Sequence, residues 1–305
     1  MEYKVVKPLF KYIGGKTWLR NRLRENVLNV MSHKQIETYI EPFSGGLGSF
    51  LSVYDILLEN KVINVVLADI NYNLINLYKH INSHTEELIE ATIKIEKDFS
   101  KTLVSSVNAK HTKEELRGAE ACYKEVRNLF NKSKKENSIE QSARLIFLQK
   151  HSFNGIYREN SKGEYNTPFN WSNSSMENII GDRILELAEV FSYFNMSFVV
   201  SSYELHDYKE DSLFYLDPPY LNKKEVIENK YNESGFNIEN QLHLISLLEN
   251  TNFIYSNHNS SIILEKLSFF PKIDIQFINR KNTISASVLS RGDDKQELLA
   301  TFIKK

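Results

Sequence analysis

The chain has 305 residues, of which 41% are hydrophobic and 25% charged, and its formal net charge is −1. This length suffices for one large domain or two, and the near-neutral charge argues against a protein that binds nucleic acid through general basicity. A single cysteine, Cys122, excludes an internal disulfide, so we expect a reducing, cytoplasmic setting with Cys122 as buried filler. No stretch approaches 18 apolar residues and the N-terminus has no apolar signal region, so we expect no membrane association.

Positive charge is nevertheless concentrated in two segments. Residues 1–35 hold eight Lys or Arg against two acids, and residues 101–150 hold eleven against six. Such patches can contact phosphates while the whole chain stays neutral, but a solvated helix face explains either patch equally well.

The first distinctive segment in chain order is FKYIGGK, at residues 10–16. A glycine pair between two lysines, with an aromatic residue inside, is unusual as mere packing so close to a terminus. A charged N-terminal loop is the alternative, and this segment alone leaves both interpretations open.

A glycine-rich turn follows the first predicted strand. Residues 38–43 indicate the strand, residues 44–48 (SGGLG) the turn, and residues 49–51 the start of a helix. Glycines at a turn let a ligand approach the backbone closely. Asp69 ends the next strand 21 residues after Gly48, a distance at which nucleotide-binding folds contact a ribose hydroxyl. The glycine spacing is not G-x-G-x-x-G, so a cofactor with a ribose and no pyrophosphate fits better.

The pattern of strands and helices predicts an α/β domain with an insertion. Helical periodicity separates short strand candidates at 38–43, 62–68, 197–201, 213–216, 252–256, 273–279 and 297–303. This alternation predicts a mostly parallel sheet. Residues 73–178 are instead helix-rich and polar, with Asn73 placed to cap the first helix. We therefore predict an inserted helical segment at 73–178 within a domain formed by residues 1–72 and 179–305.

The most informative motif is LFYLDPPY, at residues 213–220. Four apolar residues predict a buried strand, which ends at Asp217 because the two prolines that follow cannot donate to a sheet. Ligands of open α/β sheets bind beyond the carboxyl ends of the strands. Asp217, the Pro218 carbonyl and the Tyr220 ring together suit a planar substrate that carries an amino group. A plain strand-ending turn is the alternative.

In their order along the chain these motifs resemble the Dam-type DNA adenine methyltransferases (D12 class, alpha group). The matching motifs are KYIGGK at 11–16, EPFSGGLG at 41–48, ADIN at 68–71 and DPPY at 217–220. The resemblance continues at 153–169, 255–258, 283–285 and 297–299. It spans most of the chain, with residues 84–140 the least distinctive.

The resemblance implies a Rossmann-like methyltransferase sheet with an inserted, mainly helical target-recognition domain. It also implies S-adenosylmethionine as cofactor, double-stranded DNA as partner and no metal. Catalysis falls to Asp217, Pro218 and Tyr220. The residues to which it assigns the cofactor are Tyr12, Lys16, Phe43, Gly45, Gly46, Gly48, Asp69 and Asp217. Among these, Tyr12 and Lys16 close over the cofactor and Asp69 binds the ribose hydroxyls.

The implied reaction is methylation of the exocyclic amine of adenine. Its lone pair is delocalised into the ring, so the Asp217 carboxylate and the Pro218 carbonyl accept its two N–H groups and free the lone pair. Positioning of the two reactants supplies most of the remaining acceleration. The base first leaves the helix, and stacking on Tyr220 offsets part of that cost.

The segment 153–169 resembles the hairpin with which this family contacts DNA. The implied DNA-binding residues are Lys11, Phe153, Asn154, Ile156, Arg158 and Pro168. The resemblance implies that Arg158 and Lys11 contact guanines, and that Ile156 and Pro168 contact a thymine methyl group. It also implies that Phe153 fills the space left by the flipped adenine, while Asn154 contacts the base that the adenine had paired with. A plain hairpin core is the alternative for Phe153 and Ile156. The intact set makes GATC the expected target, although Asn170-Trp171 stand where the family often carries an arginine.

Three classes of function stay open in the sequence. The favoured class is a DNA adenine methyltransferase, and the others are a methyltransferase of protein glutamine or RNA and an inactive DNA-binding relative. The match at 153–169 speaks against the second class, and intact Lys16, Asp69, Asp217 and Tyr220 speak against the third. Composition and fold alone would put a dinucleotide-dependent dehydrogenase next. The sequence leaves open the oligomeric state and whether the setting is restriction-modification, a phage or regulation.

Overall fold

The computed structural model describes residues 4–12, 15–103, 112–171, 180–220, 236–281 and 294–305. Gly14 of the first motif and the motif at 283–285 lie outside these ranges. The helices in the described part are α1 (Arg20–His33), α2 (Phe50–Glu59), α3 (Tyr72–Ser83), α4 (Thr85–Ser100), α5 (Lys113–Lys132), α6 (Ile139–His151), α7 (Ile180–Ser192), α8 (Ile238–Leu247) and α9 (Ser261–Leu267). The strands there are β1 (Thr38–Glu41), β2 (Asn64–Asp69), β3 (Asn195–Val200), β4 (Ser212–Leu216), β5 (Asn252–His258), β6 (Asp274–Lys281) and β7 (Asp294–Phe302).

The seven described strands form a sheet in the order β3-β2-β1-β4-β5-β7-β6. Strand β1 pairs in parallel with β2 and β4, and β4 pairs in parallel with β5. Strand β7 runs antiparallel to both β5 and β6. Each predicted strand is present, and the fold is α/β with a mostly parallel, Rossmann-like sheet.

The chain packs as two compact units. The first comprises Met1–Arg20, Gly45–Tyr54 and Asn71–Val200, and the second comprises Asn21–Ser44, Asp55–Ile70 and Ser201–Lys305. These bounds differ from the predicted division of the chain at residues 72 and 179. The segment 73–178 lies within the first unit, and its role in target recognition stays a prediction.

The core of the second unit surrounds β4. All five residues of β4 are buried, as expected for a strand covered on both faces. Apolar side chains from the parallel strands pack in one cluster with those of α8 and α9, among them Phe214, Leu216, Phe253, Tyr255, Leu244, Ile245 and Leu267. Leu216 pairs in register with Tyr255, so the carboxyl ends of β4 and β5 lie side by side.

The first unit is mainly helical. Helix α5 begins with a Thr112–Glu115 capping box and buries one stripe, formed by Ala119, Tyr123, Val126 and Phe130. Cys122 is half-buried instead of buried as predicted, because it lies beside this stripe and not on it.

The start of α3 differs from the prediction by two residues. The side chain of Asn71 accepts hydrogen bonds from the backbone N–H groups of Asn73 and Leu74, so Asn71 is the cap and Asn73 lies inside the helix. The reason is backbone conformation: Asn71 has φ −77° and ψ 99°, the extended geometry that an N-cap requires. Among the described residues, no helix is both long and apolar enough to cross a membrane.

Candidate active site

Three predicted site residues of the second unit follow adjacent parallel strands. Asp69 ends β2, Phe43 lies two residues after β1, and Asp217 directly follows β4. These strands are neighbours in the order β2-β1-β4, so their carboxyl ends meet at one edge of the sheet. This edge is where open α/β sheets bind their ligands, as the sequence predicted for Asp217.

The Asp217 carboxylate is half-buried and is held from the neighbouring strand. The Ser256 hydroxyl on β5 lies 3.0 Å from Asp217 Oδ1 and 3.3 Å from the Tyr215 hydroxyl. Burial, with the charge of Asp217 next in importance, raises the pKa of Tyr215 well above its usual value. Tyr215 therefore keeps its proton and donates a hydrogen bond to Ser256 Oγ. The Ser256 hydroxyl, which has one hydrogen, donates it to Asp217 Oδ1.

Tyr220, three residues after Asp217, contributes an aromatic ring to the site. Its ring is half-buried and lies edge-to-face with the His258 ring, the centroids 4.5 Å apart. Burial, followed by the charge of Asp217, raises the pKa of Tyr220 well above its usual value, so the ring stays neutral. A neutral aromatic surface suits stacking by a planar base.

Phe43 and Asp69 differ in their surroundings. The Phe43 ring stacks on Tyr203 with centroids 6.0 Å apart and meets Phe236 edge-to-face at 5.8 Å. Asp69 is half-exposed, and its carbonyl accepts a hydrogen bond from the backbone of Ser201. The next residue, Ile70, is 68% exposed. This end of β2 thus offers a carboxylate and an apolar surface together.

The first unit contains the glycine-rich turn and the Tyr12 loop. Gly45 has φ +43°, and its carbonyl accepts a 2.5 Å hydrogen bond from the Tyr78 hydroxyl. A Cβ on Gly46 would lie 2.6 Å from Tyr12 Cβ, and one on Gly45 would lie 3.0 Å from the Tyr12 ring. The two glycines are therefore required for Tyr12 to lie against the turn.

Gly48 and Lys16 belong to the same unit. Gly48 lies two residues before the start of α2, and its carbonyl accepts a 2.6 Å hydrogen bond from the Ser52 hydroxyl. Lys16 is only 4% exposed. A lysine is rarely so buried unless it is paired, and this burial decides against a solvated, charged loop.

Residues 152–169 form the predicted hairpin, also within the first unit. Antiparallel bridges join Ser152 with Phe169 and Glu159 with Tyr165. Phe153 is 52% exposed, which decides against a hairpin-core role. Asn154 is exposed in the left-handed region at φ 59°, a conformation that asparagine tolerates.

The other predicted DNA-reading residues lie on or beside this hairpin. Lys11 Cβ lies 3.7 Å from the position that a Cβ on Gly155 would occupy. Arg158 is exposed, and its Nε donates to Asn166 Oδ1 at 2.7 Å. Pro168 is exposed as well, whereas Ile156 is half-buried.

Helix α5 supports the hairpin. Asn131 donates to the Tyr165 carbonyl at 3.0 Å and accepts from the Tyr165 N–H at 2.8 Å. The Tyr123 hydroxyl donates to the Thr167 carbonyl at 2.9 Å. These hydrogen bonds hold the returning segment of the hairpin against α5.

Comparison with known proteins decides the family. A profile described as D12 class N6 adenine-specific DNA methyltransferase matches residues 12–279 of the chain. The chain belongs to this family. Adenine in DNA is therefore the substrate class, and a dinucleotide dehydrogenase and a protein-glutamine or RNA methyltransferase are set aside.

Curated relatives of this methyltransferase cover nearly its whole length. Type II methyltransferase M.MjaIII of Methanocaldococcus jannaschii is 28% identical over 307 residues, which cover 96% of each chain. The DNA adenine methylase of Escherichia coli (strain K12) is 24% identical over 303 residues, covering 97% of this chain and 95% of the relative. Type II methyltransferase M.CviBI of Paramecium bursaria Chlorella virus NC1A is 28% identical over 248 residues, 81% of this chain and 80% of the relative.

The site of the methyltransferase includes residues to which sequence reasoning gave no role. Ser256 lies in a motif that resembles the family, but only the structure shows its bond to Asp217. Gln241 donates a hydrogen bond to the Pro219 carbonyl, but in the sequence it stands at an ordinary position of a predicted helix. Within the described ranges, His, Cys, Asp and Glu side chains form no group of three or more that could hold a metal ion.

Proposed function

We propose that this methyltransferase transfers a methyl group from S-adenosylmethionine to the exocyclic amine of an adenine flipped out of duplex DNA, within the sequence GATC. The observation that carries the proposal is the placement of Asp217. This acid follows a fully buried central strand, precedes two prolines and has one carboxylate oxygen held by Ser256 at 3.0 Å.

Asp217 and the Pro218 carbonyl activate the adenine amine. An amine conjugated with the purine ring is a weak nucleophile, and two acceptors placed at its N–H groups shift it toward tetrahedral geometry. The Ser256 bond fixes the rotation of the Asp217 side chain, so the carboxylate meets the amine without reorganisation. The Tyr220 ring, backed by His258, stacks on the extruded base.

The family generally uses S-adenosylmethionine, which when bound supplies an electrophilic methyl group on a sulfonium. The residues present fit this molecule. Asp69 offers acceptors for two ribose hydroxyls, and the exposed Ile70 beside it offers an apolar surface for a ring. Phe43 contributes aromatic area at the end of β1, next to β2.

The other residues proposed to contact the cofactor belong to the first unit. The turn at Gly45, Gly46 and Gly48 presents backbone without side chains, and Tyr12 covers two of these glycines. Lys16 follows Tyr12 in the same motif, and its side chain is buried. We assign Tyr12 and Lys16 to closing over the cofactor.

The hairpin and Lys11 read the target sequence. Arg158 is exposed and its guanidinium is oriented by Asn166, which suits a bidentate contact to a guanine edge. Lys11 contacts a second guanine, and Ile156 and Pro168 contact a thymine methyl group. Exposed Phe153 fills the space of the flipped base, with Asn154 at the orphaned partner. The target GATC is supported because Lys11, Ile156, Arg158 and Pro168 all match the residues with which the family reads DNA. Asn170 and Trp171 depart from the family pattern and alter the flanking contacts.

Mapping of N6-methyladenine tests the target directly. The chain is expressed in cells that lack adenine methylation, and their genomic DNA is sequenced with a method that detects the modified base. We expect methylation within GATC and not in sequences that differ by one base. Methylation centred on another sequence would contradict the GATC assignment while leaving the adenine chemistry in place.

A further inference from the structure

A buried polar network lies behind the Asp217–Tyr220 tetrapeptide. Gln241 on α8 has no exposed surface, and its Nε2 donates to the Pro219 carbonyl at 2.8 Å. Its Oε1 accepts from the Tyr255 hydroxyl at 2.6 Å and from Asn257 Nδ2 at 3.0 Å. Both partners lie on β5 and are buried.

The network determines which way the Gln241 amide points. Asn257 Nδ2 is a donor and cannot face another amide NH₂, so the oxygen of Gln241 must lie on this side. Asn257 is itself fixed, because its Oδ1 accepts from the His258 N–H at 2.7 Å. The Nε2 of Gln241 is therefore directed at the Pro219 carbonyl.

Core packing does not explain this amide. The other buried positions of α8 include Leu244 and Ile245, which pack in the apolar cluster of the second unit. A buried amide there requires every one of its hydrogen bonds, and an apolar side chain would avoid that demand.

The tetrapeptide is thus held at two points. Ser256 holds the Asp217 carboxylate, and Gln241 holds the Pro219 carbonyl. The ring of each proline fixes its own φ, which leaves mainly the ψ angles to be set. A hydrogen bond to the Pro219 carbonyl sets the peptide plane that joins Pro219 to Tyr220.

We propose that Gln241 is a positioning residue for methyl transfer, which acts by fixing the peptide group between Pro219 and Tyr220, and with it the Tyr220 ring, relative to the Asp217 carboxylate. This inference rests on the proposed roles of Asp217 and Tyr220. A small displacement of positioned groups lowers the rate of the chemical step more than it lowers binding.

The discriminating variant is Gln241→Glu. It keeps the side-chain size and the acceptor that faces Tyr255 and Asn257, but an ionised carboxylate cannot donate to the Pro219 carbonyl. A protonated carboxyl can donate, and burial raises the pKa of such a group. The single-turnover rate of methylation is measured on unmethylated plasmid DNA, with enzyme and tritiated S-adenosylmethionine in excess, between pH 6 and pH 9.

At pH 9 we expect Gln241→Glu to be roughly 10- to 100-fold slower than wild type, with the deficit shrinking as the pH falls. The dissociation constant for S-adenosylmethionine stays at the wild-type value. Gln35→Glu introduces the same charge at an exposed position and should reproduce the wild-type pH profile. Gln241→Leu, which buries no charge, should be slow at every pH.

Three results separate the explanations. The thermal midpoint of Gln241→Leu shows whether this variant is folded. If folded Gln241→Leu methylates DNA at the wild-type rate, the inference is overturned, even if Gln241→Glu does not fold. A pH-independent deficit in Gln241→Glu that merely follows the folded fraction would reduce Gln241 to a structural role. The wild-type rate in the same assay tests the proposed function by itself.

Discussion

The carboxylate of Asp217 is oriented by a hydroxyl that lies 39 residues further along the chain. Ser256 has one hydrogen to donate, and it lies closer to Asp217 Oδ1 than to the Leu216 carbonyl, at 3.0 and 3.4 Å. Tyr215, itself buried, lies at hydrogen-bonding distance on the other side of Ser256. Asp217, the proposed catalytic carboxylate, is therefore one member of a chain of hydrogen bonds, and its geometry depends on the pairing of β4 with β5.

Ser256→Ala should lower the rate of methyl transfer roughly 10- to 150-fold, since a hydrogen bond to a charged group contributes about 1.5–3 kcal/mol. The affinity for S-adenosylmethionine should change much less than the rate, because the substitution leaves Asp69 and Phe43 at the ends of β2 and β1 intact. Single-turnover kinetics and calorimetry measure the two quantities. Ser268→Ala is the matched control, since Ser268 is exposed at the end of α9. A wild-type rate in Ser256→Ala would remove Ser256 from the mechanism.

Asp69→Ala should weaken S-adenosylmethionine about 5- to 150-fold, because a carboxylate that binds two hydroxyls contributes roughly 1–3 kcal/mol. The rate at saturating cofactor should stay close to that of wild type. Asp207→Ala serves as control, since Asp207 forms an exposed ion pair with Lys209. An unchanged dissociation constant in calorimetry would make Asp69 an ordinary acid at a strand end.

At the scale of elements, we propose that the hairpin determines sequence preference, and α5 holds the hairpin through hydrogen bonds from Asn131 and Tyr123. Arg158→Ala should relax the preference at one guanine position, since a bidentate arginine–guanine pair is worth roughly 1–3 kcal/mol of discrimination. The loss should be smaller on sites that already lack this guanine. Arg22→Ala, which removes an exposed arginine paired with Glu25, controls for charge.

Kinetics on oligonucleotides with single-base changes measure this preference. A uniform loss on every oligonucleotide would indicate that Arg158 contacts the phosphate backbone. The guanine reader would then have to be sought at Lys11 and Lys162, both of which are exposed.

A partly buried ion pair joins α4 to the end of α6, directly before the hairpin. Both carboxylate oxygens of Glu96 lie 3.0 Å from His151 Nε2, and Lys150 Nζ lies 3.3 Å away. Burial raises the pKa of Glu96, but the hydrogen bond and charge of His151, with Lys150, outweigh it and lower the pKa below 4.5. Its contribution to stability is therefore complete above pH 4.5 and is lost as the pH falls through the lowered pKa.

Glu96→Gln should accordingly flatten the acid limb of the stability curve. Between pH 5.5 and pH 3 we expect the free energy of unfolding of wild type to fall more steeply than that of Glu96→Gln. Urea unfolding at each pH measures both, with the exposed Glu90→Gln as control. Parallel slopes for wild type and Glu96→Gln would show that Glu96 does not set this limb.

For the molecule as a whole, signals local in sequence predicted the strands of the sheet, and the roles of the site residues stay predictions. The run LFYLDPPY specifies a buried strand and its end within eight residues, and the structure confirms both. The N-cap of α3 was misplaced because Asn71 and Asn73 both suit a cap, and only backbone conformation separates them.

Contacts between distant residues were beyond prediction from the sequence. Gln241 reaches a carbonyl 22 residues away, and its helical pattern does not distinguish it from a solvated glutamine. The half-burial of Cys122 depends likewise on which side of α5 meets its neighbours.

The most direct test of the account compares wild type with Asp217→Ala. Both proteins are incubated with unmethylated plasmid DNA and tritiated S-adenosylmethionine, and the digested nucleosides are separated to quantify N6-methyladenine. We expect wild type to form N6-methyladenine, and we expect Asp217→Ala to form none while it retains the wild-type thermal midpoint and DNA affinity. Transfer by Asp217→Ala at a near-normal rate would contradict the catalytic assignment.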